Sequence, residues 1–368
     1  MRSTRAGSCS CGNARRERRM AKDTRAAFLQ AIEPRLNAME RAFVEAFLDM
    51  RSAAAQRTID EIIQRYLETG DLNAAVRDLE AGINFAMRGF YAPLDQQMFE
   101  TFIQGGAYQA GLLPKRRSNS APVVVYRFDA RSDRALDWTR RQSARLITEL
   151  SDDTRIVVRE TLSAGADANR TYRQIRSDLI GKQEDGKRKG GALGLHSRQA
   201  RAVRSARDDL ENLDARYFTR ALRDKRFDRT VRKAIEAGEP LSRADIDRIA
   251  GRYSDRLLQA RGRMVARTEG NKAAAQGRVE AVQQMIEQGK IEARFITKRW
   301  VATVGKFTRD HHLALNGQEV KWGEPFISPK TGYPLAHPHD EGAPGEDVVN
   351  CRCVMLTDID WIGMRLEE

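Results

Sequence analysis

Apolar residues recur at helical spacing through most of the first 290 residues, and this pattern constrains the fold more than any other feature of the chain. Leu36, Phe43 and Met50 lie seven residues apart, with further apolar residues on the same side of the predicted helix. Hydrophobic residues make up 41% of the chain, aromatic residues 7% and charged residues 31%, a balance that favours long, Arg-rich surface helices over a β-sandwich. We therefore predict a mainly α fold, with long helical N-terminal and central regions and a small, loop-rich α+β module at the C-terminus.

The composition divides the 368 residues into four regions. Residues 1–19 form a Ser-, Arg- and Gly-rich leader that we predict to be disordered, or to precede the true start at Met20. Residues 20–122 and 123–290 are predicted to be helical N-terminal and central regions. After Lys290 the helical periodicity fades and Pro and Gly become frequent, so residues 291–368 are predicted to form a separate compact module.

Helix-breaking residues set the expected boundaries within these regions. Pro34 should kink or divide the first helix, and Pro93 should separate two helices, because proline lacks an amide donor and clashes with the preceding turn. The predicted elements are helices at about 71–91, 95–110, 132–149, 152–164, 168–180 and 255–286, and strands at 123–127 and 293–304. Residues 181–194 contain five glycines, but they lack the spacing of a phosphate-binding loop and no strand precedes them, which predicts a flexible loop.

The cysteine pattern and the lengths of the apolar runs indicate the cellular environment of the protein. The four cysteines form two Cys-x-Cys pairs, Cys9/Cys11 and Cys351/Cys353, which is not a disulfide scaffold and favours a reducing compartment. The longest apolar runs, such as residues 123–125, fall far short of the roughly 20 residues that span a bilayer. We expect no membrane-spanning segment and no membrane partner.

The net charge of +13 is unevenly distributed. The leader carries +5, residues 196–267 carry +8, and residues 291–368 carry −3. Four arginines recur every three residues on one predicted helix: Arg198, Arg201, Arg204 and Arg207. Such a stripe can contact DNA phosphates or an acidic protein. The alternative is a solvated helix face with local ion pairs to Asp208, Asp209 and Glu211.

The C-terminal module concentrates residues that bind metals. Cys351 and Cys353, together with His312 and either His337 or His339, offer three or four ligands of the kind that tetrahedral zinc prefers. The alternative is a turn capped by hydrogen bonds, in which the two cysteines pack as small hydrophobic residues.

The order of motifs in this module resembles a known signature. Trp300 lies in an apolar strand, and Arg309, His312, Leu315 and Gly317 follow with the spacing Thr-Arg-x-x-His-x-x-Leu-x-Gly. A proline-rich stretch and then Asn350, Cys351, Arg352 and Cys353 close the series. This series is similar to the C-terminal signature of the phage Mu F-like minor head protein family, also called phage head morphogenesis proteins. Residues 267–273, with Arg267, Thr268 and Asn271, also resemble that family.

The resemblance implies a non-enzymatic minor capsid protein of a tailed phage or prophage. Such a protein joins the procapsid through the portal protein, with a possible contact to packaged DNA. The resemblance places it in the host cytoplasm during assembly and in the virion head afterwards, and it makes the N-terminal helical region the variable part.

Besides the capsid protein, two other classes of function remain open on the sequence: an enzyme and a nucleic-acid-binding protein. For the enzyme, the residues Asp310, His311 and His312 suggest a metal-dependent nuclease, although Asn316 follows His312 too closely for the known motif and the module is acidic rather than basic. Arg267-Thr268-Glu269 invites comparison with ADP-ribosyltransferases, but Glu269 falls inside a predicted helix, where an exposed Glu commonly has no function. A basic, helical nucleic-acid-binding protein with no role in a capsid is the third class.

Overall fold

The structure, a computed structural model, describes residues 24–48, 53–112, 126–184, 187–360 and 363–364. The leader, with Cys9 and Cys11, lies outside the described residues, as do residues 123–125 of the first predicted strand. The predictions for those segments therefore stay predictions.

The described residues are mainly helical, with short antiparallel strands near the C-terminus, which confirms the predicted fold class. The helices are α1 (Arg25–Leu48), α2 (Ala53–Thr69), α3 (Leu72–Gly111), α4 (Asp133–Asp167), α5 (Tyr172–Ile180), α6 (Ser197–Glu211), α7 (Asp228–Ala237), α8 (Arg243–Glu287), α9 (Asp310–Leu315) and α10 (Gly345–Val348). Short 3-10 turns cover Ala215–Thr219, Lys225–Phe227 and Ala293–Phe295. The strands are β1 (Lys182–Glu184), β2 (Lys187–Lys189), β3 (Ile296–Val301), β4 (Glu319–Lys321), β5 (Phe326–Ile327), β6 (Pro334–Leu335) and β7 (Val354–Ile359).

The 45-residue helix α8 organises the molecule, because α1, α3 and α6 all pack against it. Apolar side chains from the N-terminal and central helices form one core, which includes Phe43 of α1, Phe102 of α3, Leu162 of α4 and Leu258 of α8. The predicted N-terminal and central regions therefore share a single hydrophobic core.

Two glycines allow α3 and α8 to approach closely. A Cβ atom at Gly105 would lie 2.1 Å from the carbonyl oxygen of Ala274, and one at Gly277 would lie 2.1 Å from the carbonyl oxygen of Phe102. Since real Cβ atoms do not approach that near, the backbones of the two helices meet where no side chain fits.

Proline does not end the helices as predicted. α1 runs without a break through Pro34, so Pro34 does not divide it. α3 runs through Pro93, so the predicted separation of two helices at Pro93 is wrong. Proline in a helix interior costs about 3 kcal/mol, and burial of three residues around Pro93 offsets it: Tyr91, Leu94 and Met98 all lie in the core. The two helices predicted at 132–149 and 152–164 are likewise one helix, α4.

Of the predicted strand 123–127 only residues 126 and 127 are described, and they are not in a strand. The Gly-rich segment 181–194 was predicted to be a flexible loop, but its described residues form the paired strands β1 and β2 and a turn in which residues 190–194 are buried. The long helix predicted from residue 255 exists, but α8 begins twelve residues earlier, at Arg243 behind the capping residue Ser242.

The C-terminal module is a small α+β unit, as predicted. β3 pairs with β4 on one side and with β7 on the other, both antiparallel, and β5 pairs with β6. The hydrophobic core of the module contains Trp300, Leu315, Phe326, Cys351 and Cys353. β7 also attaches the module to the helices, since Val354 and Leu356 pack with Phe28 of α1 and Ala274 of α8.

Among the described residues, none of the helices combines the length and the apolar character that crossing a bilayer requires.

Candidate metal centre

Three of the residues predicted as zinc ligands meet in the core of the C-terminal module. The Nδ1 atom of His312 lies 3.4 Å from the Sγ atom of Cys351 and 3.4 Å from that of Cys353. Tetrahedral zinc with ordinary bond lengths holds a nitrogen and a sulfur ligand about 3.6 Å apart. All three side chains are buried, so the spacing and the donor types both fit a metal.

Local structure fixes the position of His312. α9 carries it below Trp300 of β3, whose ring lies edge-on to the imidazole at a centroid distance of 5.8 Å. The chain leaves α9 through Gly317, which has a φ of +84° and donates its amide to the carbonyl oxygen of Trp300 at 2.8 Å. Leu315 is buried beside these residues. Trp300, Leu315 and Gly317 of the signature therefore serve to place the histidine.

The turn that carries both thiols, residues 350–353 or the NCRC turn, is held by α8. The amide of Asn271 donates to the carbonyl oxygen of Cys351 at 3.1 Å, and Thr268 Oγ1 accepts from the amide of Asn350 at 2.9 Å. Arg267 donates to the side-chain oxygen of Asn350 at 2.6 Å. The signature residues of α8 and those of the NCRC turn, more than 80 residues apart in sequence, thus form one contact.

Two more contacts close the NCRC turn from the other side. Arg309 donates from its guanidinium to the carbonyl oxygen of Val349, next to the turn. Thr303 Oγ1 donates to the carbonyl oxygen of Arg352 at 2.9 Å. Asn350 adopts a φ of +57°, a left-handed conformation that Asn tolerates better than most residues. The side chain of Arg352 is exposed.

The two thiols differ in acidity. The pKa of Cys353 is lowered to about 5 by its hydrogen bond with Cys351 and, more weakly, by hydrogen bonds with His312 and Trp300. Burial of the thiol acts in the opposite direction. The interaction with Cys353, together with burial, raises the pKa of Cys351. A lowered thiol pKa favours metal binding, because only a deprotonated sulfur coordinates a metal.

His337 and His339 do not join the cluster. The His337 ring lies against the side-chain oxygen of Gln276 at 3.2 Å and the carbonyl oxygen of Pro338 at 2.8 Å. The His339 ring nitrogen Nε2 lies 3.0 Å from the carbonyl oxygen of Cys353. Both histidines are buried, and His339 contacts the NCRC turn through the carbonyl oxygen of Cys353.

The sequence did not single out Asp347, which lies next to the thiol cluster. It forms a second group of close ligand atoms with His311 and His312. Its carboxylate accepts hydrogen bonds from Ser328 at 2.8 Å and Thr331 at 2.6 Å, and lies 3.4 Å from His311 Nε2. No short-range motif links Asp347 to His312; the fold alone brings them together.

The geometry bears on the two enzyme interpretations. His312 is 2% exposed and its Nδ1 atom faces both thiols, so this nitrogen is not placed to act as a base on a nucleic acid. Glu269 is buried, not exposed as expected, and is bound by Lys272 at 2.9 Å and by Gln142 at 2.6 Å.

The arginine stripe of α6 is divided by the packing. Arg198 and Arg201 are exposed. Arg204 is partly buried and pairs with Glu160 of α4 at 2.9 Å, while Arg207 is buried and pairs with Asp247 of α8. These ion pairs join different helices, unlike the local pairs considered from the sequence. Only the first two arginines face outward.

Comparison with known proteins agrees with the resemblance seen in the sequence. The model of the family described as Phage Mu protein F like protein matches residues 225–356, which span α7, α8 and the module through the first half of β7. The matched region contains the long helix α8 and most of the small α+β module, which contact each other at the NCRC turn.

Two curated relatives were found. The chain is 30% identical over 132 residues to the minor head protein GP7 of Bacillus phage SPP1, covering 35% of this chain and 39% of that protein. It is 36% identical over 106 residues to the NAD(+)--arginine ADP-ribosyltransferase EFV of Enterococcus faecalis, covering 28% of this chain and 20% of that enzyme. The chain therefore spans less than half the length of either relative. No solved structure matches it significantly.

Proposed function

We propose that this chain is a minor head protein of a tailed phage or prophage. In this role it joins the head during assembly in the host cytoplasm, through contact with the portal protein, and stays in the virion head. The observation that carries the proposal is the Mu F-like domain at residues 225–356, supported by the similarity to a phage minor head protein. The interlocked contacts between α8 and the NCRC turn explain physically why the residues of that signature occur together.

We infer a structural role for the metal centre. His312, Cys351 and Cys353 would hold a zinc ion, which would tie α9 to the NCRC turn. A module of about 75 residues with a small core gains folding free energy from such a tie. Trp300 would orient α9, and His339 would orient the NCRC turn through the carbonyl oxygen of Cys353.

The exposed part of the α6 stripe is the proposed electrostatic contact with acidic portal side chains or with packaged DNA. Arg198 and Arg201 are solvent-exposed within a region of charge +8, whereas the C-terminal module is acidic. Contacts of this kind weaken as salt rises, because the mobile ions screen them.

Coexpression with the cognate portal protein tests this proposal. The wild-type chain should copurify with portal at low salt, and the double variant Arg198→Glu/Arg201→Glu should be recovered several-fold less. The control Arg140→Glu/Arg141→Glu makes the same change in charge at exposed positions of α4 and should copurify like wild type. Failure of the wild type to bind portal or procapsids at any salt concentration would contradict the proposal.

The similarity to an ADP-ribosyltransferase raises a second candidate function, which the same protein can test. A minor head protein should release no nicotinamide from NAD⁺ in the presence of an arginine-rich acceptor. It should also leave supercoiled plasmid intact with Mg²⁺ or Zn²⁺. Release of nicotinamide would assign the transferase activity, and nicking abolished by His312→Ala would assign a nuclease.

A further inference from the structure

The surface beside the NCRC turn exposes large apolar side chains. Phe307 is 89% exposed and Val304 is 73% exposed, which makes them the two most exposed of the large apolar side chains in the described part of the chain. Val349, the residue before the turn, is exposed as well. A single exposed apolar side chain is ordinary on a protein surface, whereas several that lie together mark a contact site.

Hydrogen bonds bring these side chains onto one surface. The loop that carries the two most exposed of them, residues 303–309, is fixed to the turn because Thr303 Oγ1 donates to the carbonyl oxygen of Arg352 at 2.9 Å. At the end of the loop, the guanidinium of Arg309 donates to the carbonyl oxygen of Val349. Residues 303–309 and 349–352 therefore form one continuous surface, which we call the loop–turn face.

The loop–turn face is rich in cations. Neither of its two segments contains an Asp or a Glu, and its own cations are Lys306, Arg309 and Arg352. Two more arginines reach it from helices. Arg25 of α1 donates to Thr303 Oγ1 at 2.9 Å, and Arg267 of α8 donates to the side-chain oxygen of Asn350 at 2.6 Å. Positive charge from three parts of the fold thus converges on this face, although residues 291–368 carry a net charge of −3.

These cations are not neutralised by carboxylates of the described residues. The hydrogen-bond acceptors of Arg25, Arg267 and Arg309 are neutral oxygen atoms. Lys306 lies over the ring of Phe307, with its Nζ atom 4.8 Å from the ring centroid. The face therefore combines uncompensated positive charge with exposed apolar surface.

The electrostatics of Arg267 agree with this description. Burial and then the positive charges of Arg352 and Arg263 lower the pKa of Arg267. Glu40 acts in the opposite direction, but it already pairs with Arg263 at 3.4 Å. A group of arginines that repel one another would gain from additional negative charge supplied by a partner.

We propose that the loop–turn face binds an acidic segment of another protein, one that carries apolar or aromatic side chains among its carboxylates. Guanidinium groups bind carboxylates in a bidentate geometry. Phe307 and Val304 would be buried against the apolar side chains of the segment, and aromatic and Arg side chains are the groups that most often dominate such interfaces.

The observations favour a polypeptide over DNA. A duplex presents phosphates and sugars to a protein surface, which would leave Phe307 and Val304 without an apolar contact. The net charge of −3 on the module also opposes a long polyanion, whereas a short acidic segment touches only the cationic face. The inference does not rest on the proposed role in the head, because it concerns the chemistry of the partner alone.

Fluorescence anisotropy of three labelled probes with the full chain tests the proposal. The probes are a peptide with Phe or Leu at every third position and Asp or Glu elsewhere, a poly-glutamate peptide of the same length, and a short DNA duplex. The acidic–apolar peptide should bind with a dissociation constant below about 100 µM. Poly-glutamate and the duplex should each bind several-fold more weakly, and binding of all three probes should weaken as salt rises.

Two variants separate the apolar contribution from the charge. Phe307→Ser should weaken binding of the acidic–apolar peptide at least about fivefold and leave poly-glutamate binding unchanged, because only the apolar contact is lost. Arg352→Gln should weaken binding of both peptides. Both side chains are exposed, so both variants should keep the thermal unfolding midpoint of the wild type.

Two control variants make the same kinds of change elsewhere. Ile327→Ser replaces an apolar side chain that is 51% exposed in β5, outside the loop–turn face. Lys290→Gln removes an exposed cation just after α8, whose last residue, Glu287, lies about 30 Å along the helix from Arg267. Both controls should bind the acidic–apolar peptide as the wild type does.

The proposal is overturned if the acidic–apolar peptide does not bind at millimolar concentration, or if the controls lose as much affinity as Phe307→Ser and Arg352→Gln. Tighter binding of the duplex than of the acidic–apolar peptide would overturn it too, because the face would then select phosphates rather than an acidic polypeptide.

Discussion

The side-chain amide of Asn271 in α8 donates a hydrogen bond to the carbonyl oxygen of Cys351, and this contact joins the longest described helix to the turn that carries both buried thiols. Thr268 and Arg267, on the preceding turn of α8, bind Asn350, the residue before Cys351. The position of the metal centre therefore depends on α8 as much as on the module that contains the ligands.

Replacing Asn271 tests this dependence. Asn271→Ala leaves a buried carbonyl oxygen without its donor, which should lower the free energy of unfolding by about 1–3 kcal/mol. Denaturant unfolding, followed by tryptophan fluorescence, measures the loss. Gln283→Ala, on the same helix with a partner on the exposed side only, should change stability by less than about 0.5 kcal/mol. Equal stability of both variants would contradict a holding role for Asn271.

Metal content tests the candidate centre. The purified protein should contain about one equivalent of zinc per chain by elemental analysis. Cys351→Ser/Cys353→Ser should lose the metal and lower the midpoint of thermal unfolding, because two of three proposed ligands are gone. Cys9→Ser/Cys11→Ser changes the other Cys-x-Cys pair and should keep the metal. A metal-free wild type that is as stable as a zinc-loaded sample would leave the packed-turn interpretation.

Sequence reasoning reached the ligand types but not the full geometry. The Cys-x-Cys spacing and the position of His312 were visible in the chain, and the structure brings these three together. His337 and His339 share the chemistry of ligands, and only the packing shows that each contacts another partner. Asp347 was not predicted as a site residue, because its proximity to His312 depends on how α10 packs against α9.

The helices were predicted better in type than in extent. Periodicity found the long helical regions, whereas Pro34 and Pro93 were given too much weight, since local propensity cannot account for the burial of neighbours such as Leu94 and Met98. The Gly-rich segment was misjudged for the same reason. Its glycines permit a close approach to α8 that no sequence pattern displays.

The crossing of α3 and α8 should tolerate no side chain. Gly105→Ala would place a methyl group within 2.1 Å of the Ala274 carbonyl oxygen, so it should destabilise the protein by at least about 2 kcal/mol. Gly82→Ala lies in the same helix with nothing within 4 Å of the new methyl group, and should stabilise by up to about 1 kcal/mol. Chemical denaturation measures the stability of the two variants. Equal stability of Gly105→Ala and Gly82→Ala would contradict this account.

Stability should depend on the titration of Lys298. This lysine is 5% exposed, and burial lowers its pKa to about 8, although Glu324 and Asp340 act in the opposite direction. Between pH 8 and 10.5 the unfolded chain retains a proton that the folded chain has lost, so the stability cost of burying the charged lysine is full below pH 8 and is relieved as pH rises to 10.5.

The variant Lys298→Met isolates that contribution. The free energy of unfolding of the wild type, relative to the variant, should rise by up to about 3 kcal/mol from pH 8 to pH 10.5. Denaturant titrations of both proteins across this range measure the difference, and other titrating groups cancel. A constant difference would show that Lys298 stays charged in the folded protein.

The central claim, that the chain is a component of the phage head, is tested most directly by quantitative mass spectrometry of heads purified from a lysate of the phage or induced prophage that encodes it. We predict that the chain cosediments with the heads at a fixed ratio of a few copies per portal ring, and that it remains after a salt wash that removes loosely bound host proteins. Finding the chain only in the soluble fraction, with none in procapsids or mature heads, would contradict the claim.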